Sequence, residues 1–249
     1  MITQYFRPHT LEEALELLSR PDVRPLGGGT LLSHITGESF SVVDLQALGF
    51  NKINQAGEKL EIGASVTLQD LLESSITPEA IKTALLLEAP LNLRTMATAA
   101  GALVTCDGRS PFAVGMLALD ASLVFAPADE PISLGNYLPL RGGSAGARSG
   151  KLITMIKIQL NTRLAFKSVA RTPSDKPIVC AALAQWPSGR TRVALGGFGT
   201  SPTLAMDGTA PDGLEEVARN AFAEAGDEWA SKEYRSDIAA ILAKRCLEE

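Results

Sequence analysis

The sequence is short of the residues that build metal centres. Its 249 residues hold three cysteines and two histidines. Cys106, Cys180 and Cys246 lie far apart, and no Cys-x-x-Cys pair occurs. An iron–sulfur cluster takes about four thiolates and a structural zinc ion about four ligands, so the chain is expected to carry neither on its own. A scattered, odd set of thiols suits a reducing compartment, and a cytoplasmic location is expected. Long apolar runs are missing too, since no stretch approaches the roughly 20 residues of a membrane-spanning helix. Met1–Pro8 has neither the basic start nor the apolar core of a secretory signal, and none is expected there. There is no basic excess: Lys and Arg number 23 against 28 Asp and Glu, which argues against nucleic acid as a partner. No Ser–His–Asp set, carboxylate pair or metal-ligand spacing stands out, so hydrolytic and metal-assisted chemistry lack visible machinery.

What is present reads as an ordinary globular chain, 45% hydrophobic and 20% charged, long enough for one large or two modest domains. Ile2–Arg7 is strand-like. Thr10 and Glu13 have the spacing of a capping box, and Leu11, Ala14, Leu15 and Leu18 repeat at helical spacing. An extended run to Leu26, three glycines and a buried strand at Ser41–Leu45 complete a strand–helix–strand–loop–strand unit. Leu60–Ala64 reads as a strand and Thr67–Asp70 as a second capping box. Thr77-Pro78-Glu79 reads as a helix start with Thr at the cap, and Pro90 as that helix's end. Phe112–Ala121 reads as a buried helix and Ser122–Phe125 as a strand. Arg141–Lys151, rich in glycine, reads as a mobile loop. Leu152–Leu160, Ile178–Ala184 and Arg192–Leu195 read as strands, the last two joined by a hairpin at Pro187–Gly189. Two helices, at Leu214–Ala225 and around Ile238–Leu242, are expected to pack on one side of a C-terminal sheet.

Two small-residue segments are the candidates for chemistry. Leu26-Gly27-Gly28-Gly29-Thr30-Leu31 follows an extended run; free amides in such a turn form a concave anion site suited to a pyrophosphate. A tight glycine turn is the plain alternative. Thr95–Ala102, with Thr98, Ala99, Ala100, Gly101 and Ala102, permits close packing of elements or backbone contact with a ligand. Arg94 before it suits a phosphate or an internal carboxylate. Asp107 opens a turn, Asp107–Pro111, that leads into the next helix or forms a polar lip on the same cavity. Lys167 is either solvated or within reach of a ligand ring.

Taken in order, these segments resemble the FAD-binding medium subunit of the molybdenum hydroxylases, the family of the carbon monoxide dehydrogenase medium subunit and the xanthine dehydrogenase flavin domain. Leu26–Leu32 is similar to the family's Ala-Gly-Gly-Thr-Asp-Leu-Leu loop, and Ile62–Leu68 to its Ile-Gly-Ala-x-Val-Thr-Leu segment. Arg94–Ala102 stands where the family has Arg-Asn-x-Gly-Thr-Ile-Gly-Gly-Asn, followed by the helix end Leu117–Ala121. Ala194–Gly197 and Ala230–Arg235 are similar to the small third domain. The resemblance implies an α+β fold: a two-subdomain FAD-binding domain of the vanillyl-alcohol-oxidase/PCMH type, then a small C-terminal domain with an antiparallel sheet and helices. The expected boundaries are 1–163, divided near 56 and 57, and 164–249.

It further implies FAD held by Leu26, Gly27, Gly28, Gly29, Thr30, Leu31, Arg94, Thr98, Ala99, Ala100, Gly101, Ala102, Asp107 and Lys167. The implied activity is electron transfer. A molybdopterin-binding large subunit and an iron–sulfur small subunit would be partners and would hold those cofactors, in keeping with the few thiols here. The departures are local. Ala99–Ala102 replaces Ile-Gly-Gly-Asn, Leu31 replaces a polar residue, and Pro111 stands where many members carry an Asp on the adenosine side. They bear on FAD affinity rather than on the fold, and they keep two other readings open. One is a flavin-less structural subunit that retains the fold. The other is a stand-alone flavoenzyme of the vanillyl-alcohol-oxidase type, for which no His or Cys attachment site is evident.

Overall fold

The computed structural model describes residues 1–33, 37–141, 151–173 and 175–249. The expected loop between Arg141 and Lys151 falls on 142–150, outside the described residues. The chain begins β1 (Ile2–Phe6), α1 (Leu11–Leu18), β2 (Val23–Leu26), β3 (Phe40–Asp44), β4 (Ile53–Ala56), β5 (Lys59–Gly63) and α2 (Leu68–Glu73). It continues through α3 (Glu79–Glu88), α4 (Leu91–Arg94), α5 (Ala99–Thr105), α6 (Pro111–Ala118), β6 (Ser122–Ala126), β7 (Glu130–Ser133) and α7 (Leu134–Tyr137). After these come β8 (Leu152–Gln159), β9 (Arg163–Val169), β10 (Val179–Gln185), β11 (Thr191–Gly196), β12 (Thr203–Gly208), α8 (Leu214–Ala221) and α9 (Lys232–Glu248). None of the described helices is long and apolar enough to cross a membrane.

Contacts divide the chain into two units. The first is Met1–Ser75, Leu91–Thr105 and Ser122–Lys157; the second is Ile76–Pro90, Cys106–Ala121 and Ile158–Glu249. In the first unit, β3 lies between β1 and β2 and runs parallel to both. All five of its residues are buried, as a central parallel strand requires, which is why the sequence there reads as an apolar run. Buried Asp44 ends it, taking the Tyr5 hydroxyl, the Gln46 amide at 2.9 Å and Arg7 at 3.6 Å. Helix α1 packs Ala14, Leu17 and Leu18 against Val43 and Leu45. A five-stranded sheet in the order β4-β5-β8-β6-β7 forms the remainder of the unit's β structure.

The second unit is built on an antiparallel sheet, β12-β11-β10-β9. Ala181, Leu183, Val193 and Leu195 share a core with Leu214, Ala218 and Phe222 of the α8 segment and Ala239, Leu242 and Ala243 of α9. Helices α8 and α9 thus take one face, as the C-terminal sequence suggests. The other face is also covered, by α6 from much earlier in the chain. A Cβ at Gly196 would stand 2.5 Å from the Val114 side chain and 3.0 Å from Cys180 Sγ. Covering both faces explains why β10 shows no alternation, and α6 itself is buried at all eight of its residues.

Three local expectations change. Glu13 does not close the first capping box: Thr10 Oγ1 accepts the Glu13 amide, but the Glu13 carboxylate takes the amide of His9. The second box is complete, with Thr67 and Asp70 each bonded to the other's backbone. At α3 the cap is Pro78, which makes no side-chain capping bond, and not Thr77, which is buried with its hydroxyl unpartnered. The third change concerns the second small-residue segment and bears on the candidate site.

The three thiols are free and buried. Burial pushes the Cys246 thiol up to about 12 and raises that of Cys180 further. Since the thiolate is the reactive form, a disulfide reagent at pH 8 is expected to label Cys180 and Cys246 only after unfolding. Stoichiometric labelling of either in the native protein, read by mass spectrometry, would contradict that burial.

Candidate functional site

The two small-residue segments meet within the first unit. The second, read from the sequence as a small-residue segment where elements pack closely, is itself helical. Ala99, Ala100, Gly101 and Ala102 form the first turn of α5, in keeping with the high helix propensity of alanine. Thr98 starts the helix, its Oγ1 accepting the Gly101 amide at 3.2 Å. Its backbone bridges to Thr67, while the Ala97 carbonyl accepts the Leu68 amide and the Ala99 amide donates to Val66. The second capping box therefore fixes where this segment lies.

The glycine loop after β2 packs directly on that segment. A Cβ on Gly28 would stand 1.6 Å from the Met96 carbonyl oxygen, and one on Gly27 would stand 2.7 Å from Thr98 Oγ1. Gly29 has φ +70°, a conformation that favours glycine. What approaches the backbone at Gly28 is thus the chain at Met96, not open space.

Beside this junction is a cavity of about 360 Å³, within the roughly 300–1,000 Å³ range of small-molecule sites. The glycine loop (Gly27, Gly28, Gly29, Thr30, Leu31) lines one side. Thr98, Ala100, Gly101, Val104 and Thr105 line another. Phe125, Ile132, Tyr137, Leu140, Leu152 and Ile153 supply an apolar wall, with the rings of Phe125 and Tyr137 5.7 Å apart. The Thr98 and Thr105 hydroxyls are both engaged with Gly101, the latter donating to its carbonyl at 2.9 Å. The charged residues among the described lining are Arg24 and Lys151; no carboxylate is among them. Apolar walls with hydroxyls and two cations fit a ligand that joins an aromatic ring to negative charge, which is the chemistry of a flavin nucleotide.

The other expected site residues lie elsewhere. Leu26, Ala99 and Ala102 belong to the same segments but do not line the cavity. Arg94 ends α4, where its Nε donates to Gln69 Oε1 at 3.0 Å. Asp107 and Lys167 belong to the second unit. Asp107 closes its own turn by accepting the Arg109 amide at 2.9 Å, and Lys167 on β9 pairs with Glu249 at 2.7 Å. The sequence reading missed Arg24, Lys151 and the wall from Phe125 to Ile153. These come from strands β2, β6, β7 and β8, from α7 and from the segments beside them, and no local pattern announces their meeting.

Comparison with known proteins gives a consistent picture. The family described as the FAD binding domain in molybdopterin dehydrogenase matches residues 1–158. The chain is 28% identical to the YgfM protein of Escherichia coli K12 over 251 aligned residues, covering 97% of this chain and 94% of that protein. It is 27% identical to the glyceraldehyde dehydrogenase medium chain of Sulfolobus acidocaldarius over 221 residues, 82% of this chain and 78% of that one. Among solved structures it is similar to a chain of reconstituted CO dehydrogenase from Oligotropha carboxidovorans. The TM-score is 0.82 at 25% identity, covering 100% of this chain and 96% of that one.

Proposed function

This chain belongs to the family of FAD-binding domains in molybdopterin dehydrogenases, and from that premise we propose that it is the flavoprotein subunit of a multi-subunit molybdenum-containing dehydrogenase. In this reading a molybdopterin-binding large subunit oxidises the substrate, and the iron–sulfur clusters of a small subunit pass electrons on. The present chain delivers them to an external acceptor in the cytoplasm. FAD, when bound, supplies the ability to take up electrons singly or in pairs. The chain's own residues bind and orient: the loop Gly27–Leu31 and the first turn of α5 form the polar floor, and the Phe125–Tyr137 wall excludes water. Residues 1–163 would be the FAD-binding domain and 164–249 the C-terminal domain.

The observation that carries this reading is the cavity where the glycine loop meets α5, in residues that the family match covers. The test is to incubate the purified protein with FAD, remove free flavin and denature. Release of near-stoichiometric FAD is expected. A protein that stays colourless after incubation would sink the cofactor role and favour the flavin-less structural subunit. One observation favours that second reading: Ala100 lines the cavity where relatives are expected to carry glycine. Ala100→Gly separates the two. If FAD binding appears only in the variant, the site has decayed; if an already tight site changes little, the cofactor role stands.

A further inference from the structure

In the second unit, side chains from three separate segments converge on one ring. Trp229 lies between α8 and α9. The Arg109 guanidinium stands 4.5 Å from its ring centroid and that of Arg171 stands 4.2 Å from it. Arg109 comes from the turn before α6 and Arg171 from the segment after β9. The indole stays 41% exposed. Two like charges held against one ring repel each other, and stacking on the ring offsets that repulsion. The carboxylates nearby are turned to other donors. Asp107 accepts the Arg109 amide at 2.9 Å, and Glu228 accepts the Trp229 indole N–H at 3.0 Å. Arg171 Nε reaches Asp175 at 3.6 Å, a solvent-exposed pair and so a weak one. The Arg109 guanidinium has no ion pair with a described residue, and its Nε is buried without a partner. The unit's buried arginines differ: Arg192 meets Asp120 and Asp207, and Arg235 meets Asp227. A chain with 28 carboxylates thus supplies them to Arg192 and Arg235 and withholds them from Arg109.

We propose that Arg109, Arg171 and Trp229 form a docking point for an acidic segment of a partner subunit, whose carboxylates take the two guanidiniums and whose surface covers the indole. The proposal rests on the reading of this chain as one subunit of a larger dehydrogenase. Stacking uses the flat face of a guanidinium and leaves its N–H edge free, so each arginine offers a fork that matches a carboxylate. Both forks are fixed by the same ring, so little side-chain freedom remains to be lost on binding. The buried Nε of Arg109 is cut off from water, and an incoming carboxylate supplies the acceptor it lacks. Trp and Arg are also the residue types that most often dominate the energy of protein interfaces. None of the three side chains lines the cavity of the first unit or the one beside Phe222 in the second. The cluster offers a surface, which suits a protein partner better than an enclosed small molecule.

The experiment measures, by calorimetry at low and high salt, how tightly the co-purified large and small subunits bind this chain. It compares wild type, Arg109→Met, Arg109→Lys and Arg171→Met, with circular dichroism as a check on folding. Affinity at low salt is expected to fall about tenfold in Arg109→Met and several-fold in Arg171→Met, and to fall less in Arg109→Lys, which keeps the charge. At high salt the differences should shrink, because salt screens the charge pairs in wild type. Trp186→Phe leaves Trp229 as the one tryptophan, and its emission should change when the partners bind. Unchanged affinity in both methionine variants overturns the docking assignment and leaves the subunit reading standing. So does unchanged Trp229 emission on binding. Losses of equal size at low and high salt would mean that the arginines act through packing, which also overturns it. A Trp229 response to inorganic phosphate alone, with partner binding unaffected by the variants, gives the cluster to a small anion instead and refutes the proposal. A wild type that binds neither subunit sinks the subunit reading, and this proposal with it.

Discussion

Gly28→Ala is expected to lower the stability of the first unit by about 3 kcal/mol and to weaken FAD binding more than tenfold. The new methyl carbon would stand 1.6 Å from the Met96 carbonyl oxygen, so one of the two backbones must move. The segment at Met96 is the less free. The Ala97 amide is bonded to the Leu93 carbonyl at 2.7 Å, the Ala97 carbonyl takes the Leu68 amide at 2.9 Å, and the Ala99 amide reaches Val66 at 2.8 Å. The glycine loop must therefore lift away, taking Thr30 and Leu31 with it and opening the junction beside which the cavity lies. At roughly 2–4 °C of Tm per kcal/mol for a chain of this length, the loss corresponds to a fall of about 6–12 °C. Gly37→Ala is the matched control, because a Cβ there meets nothing within 4 Å. A Gly28→Ala protein that melts with the Gly37→Ala control and binds FAD normally would show that the packing of loop on α5 does not shape the site.

The same junction shows how far the sequence could be read. Three consecutive glycines single out Gly27–Gly29, and their place directly after an extended run points to a special backbone. What the sequence does not carry is the identity of the group that approaches. A ligand is the natural guess, and at Gly28 the group is the backbone of Met96. Ala99–Ala102 reads as a small-residue crossing, yet alanines behind a threonine are also a capped helix, and the Thr98–Gly101 bond decides for the helix. Strand β3 and the strands β10 and β11 are legible because burial on both faces demands apolar runs there. Strands β4, β7, β9 and β12 leave no such signal, and each is an edge of its sheet. An edge strand is free to carry residues such as Asn54, Glu130, Lys167 and Asp207, since one side of it meets water. The cavity wall is the least legible part. Arg24 and Ile153 line one space, and only the folded sheets bring them there.

In the second unit the largest effect is expected at a residue the sequence marks only as part of a C-terminal pattern. Arg235 is fully buried. Its guanidinium donates to the Ile178 carbonyl at 3.3 Å, to the Ala225 carbonyl at 2.8 Å and to both Asp227 oxygens at 2.8 and 2.9 Å. It ties the start of α9 to the sheet and to the turn before it, where Asp227 also accepts the amides of Trp229 and Ala230. Arg235→Met keeps much of the volume but leaves two carbonyls and a carboxylate short of donors. Breaking such a pair costs about 3 kcal/mol even though Asp227 retains some solvent contact. The loss should depend on pH in a fixed direction. Burial alone would raise the Asp227 carboxyl, but the bonds from Arg235 and from the two amides outweigh it and hold the group below the usual carboxylate range. A carboxyl depressed on folding contributes stability that is present above its unfolded value, near pH 4, and lost as pH falls through the folded one. In Arg235→Met much of that depression disappears. The gap in stability between wild type and variant, measured by urea unfolding, should therefore be widest at pH 7 and narrow toward pH 3. A gap that stays constant over that range would mean that Arg235 acts through its carbonyl bonds and packing alone, and not through the charge on Asp227.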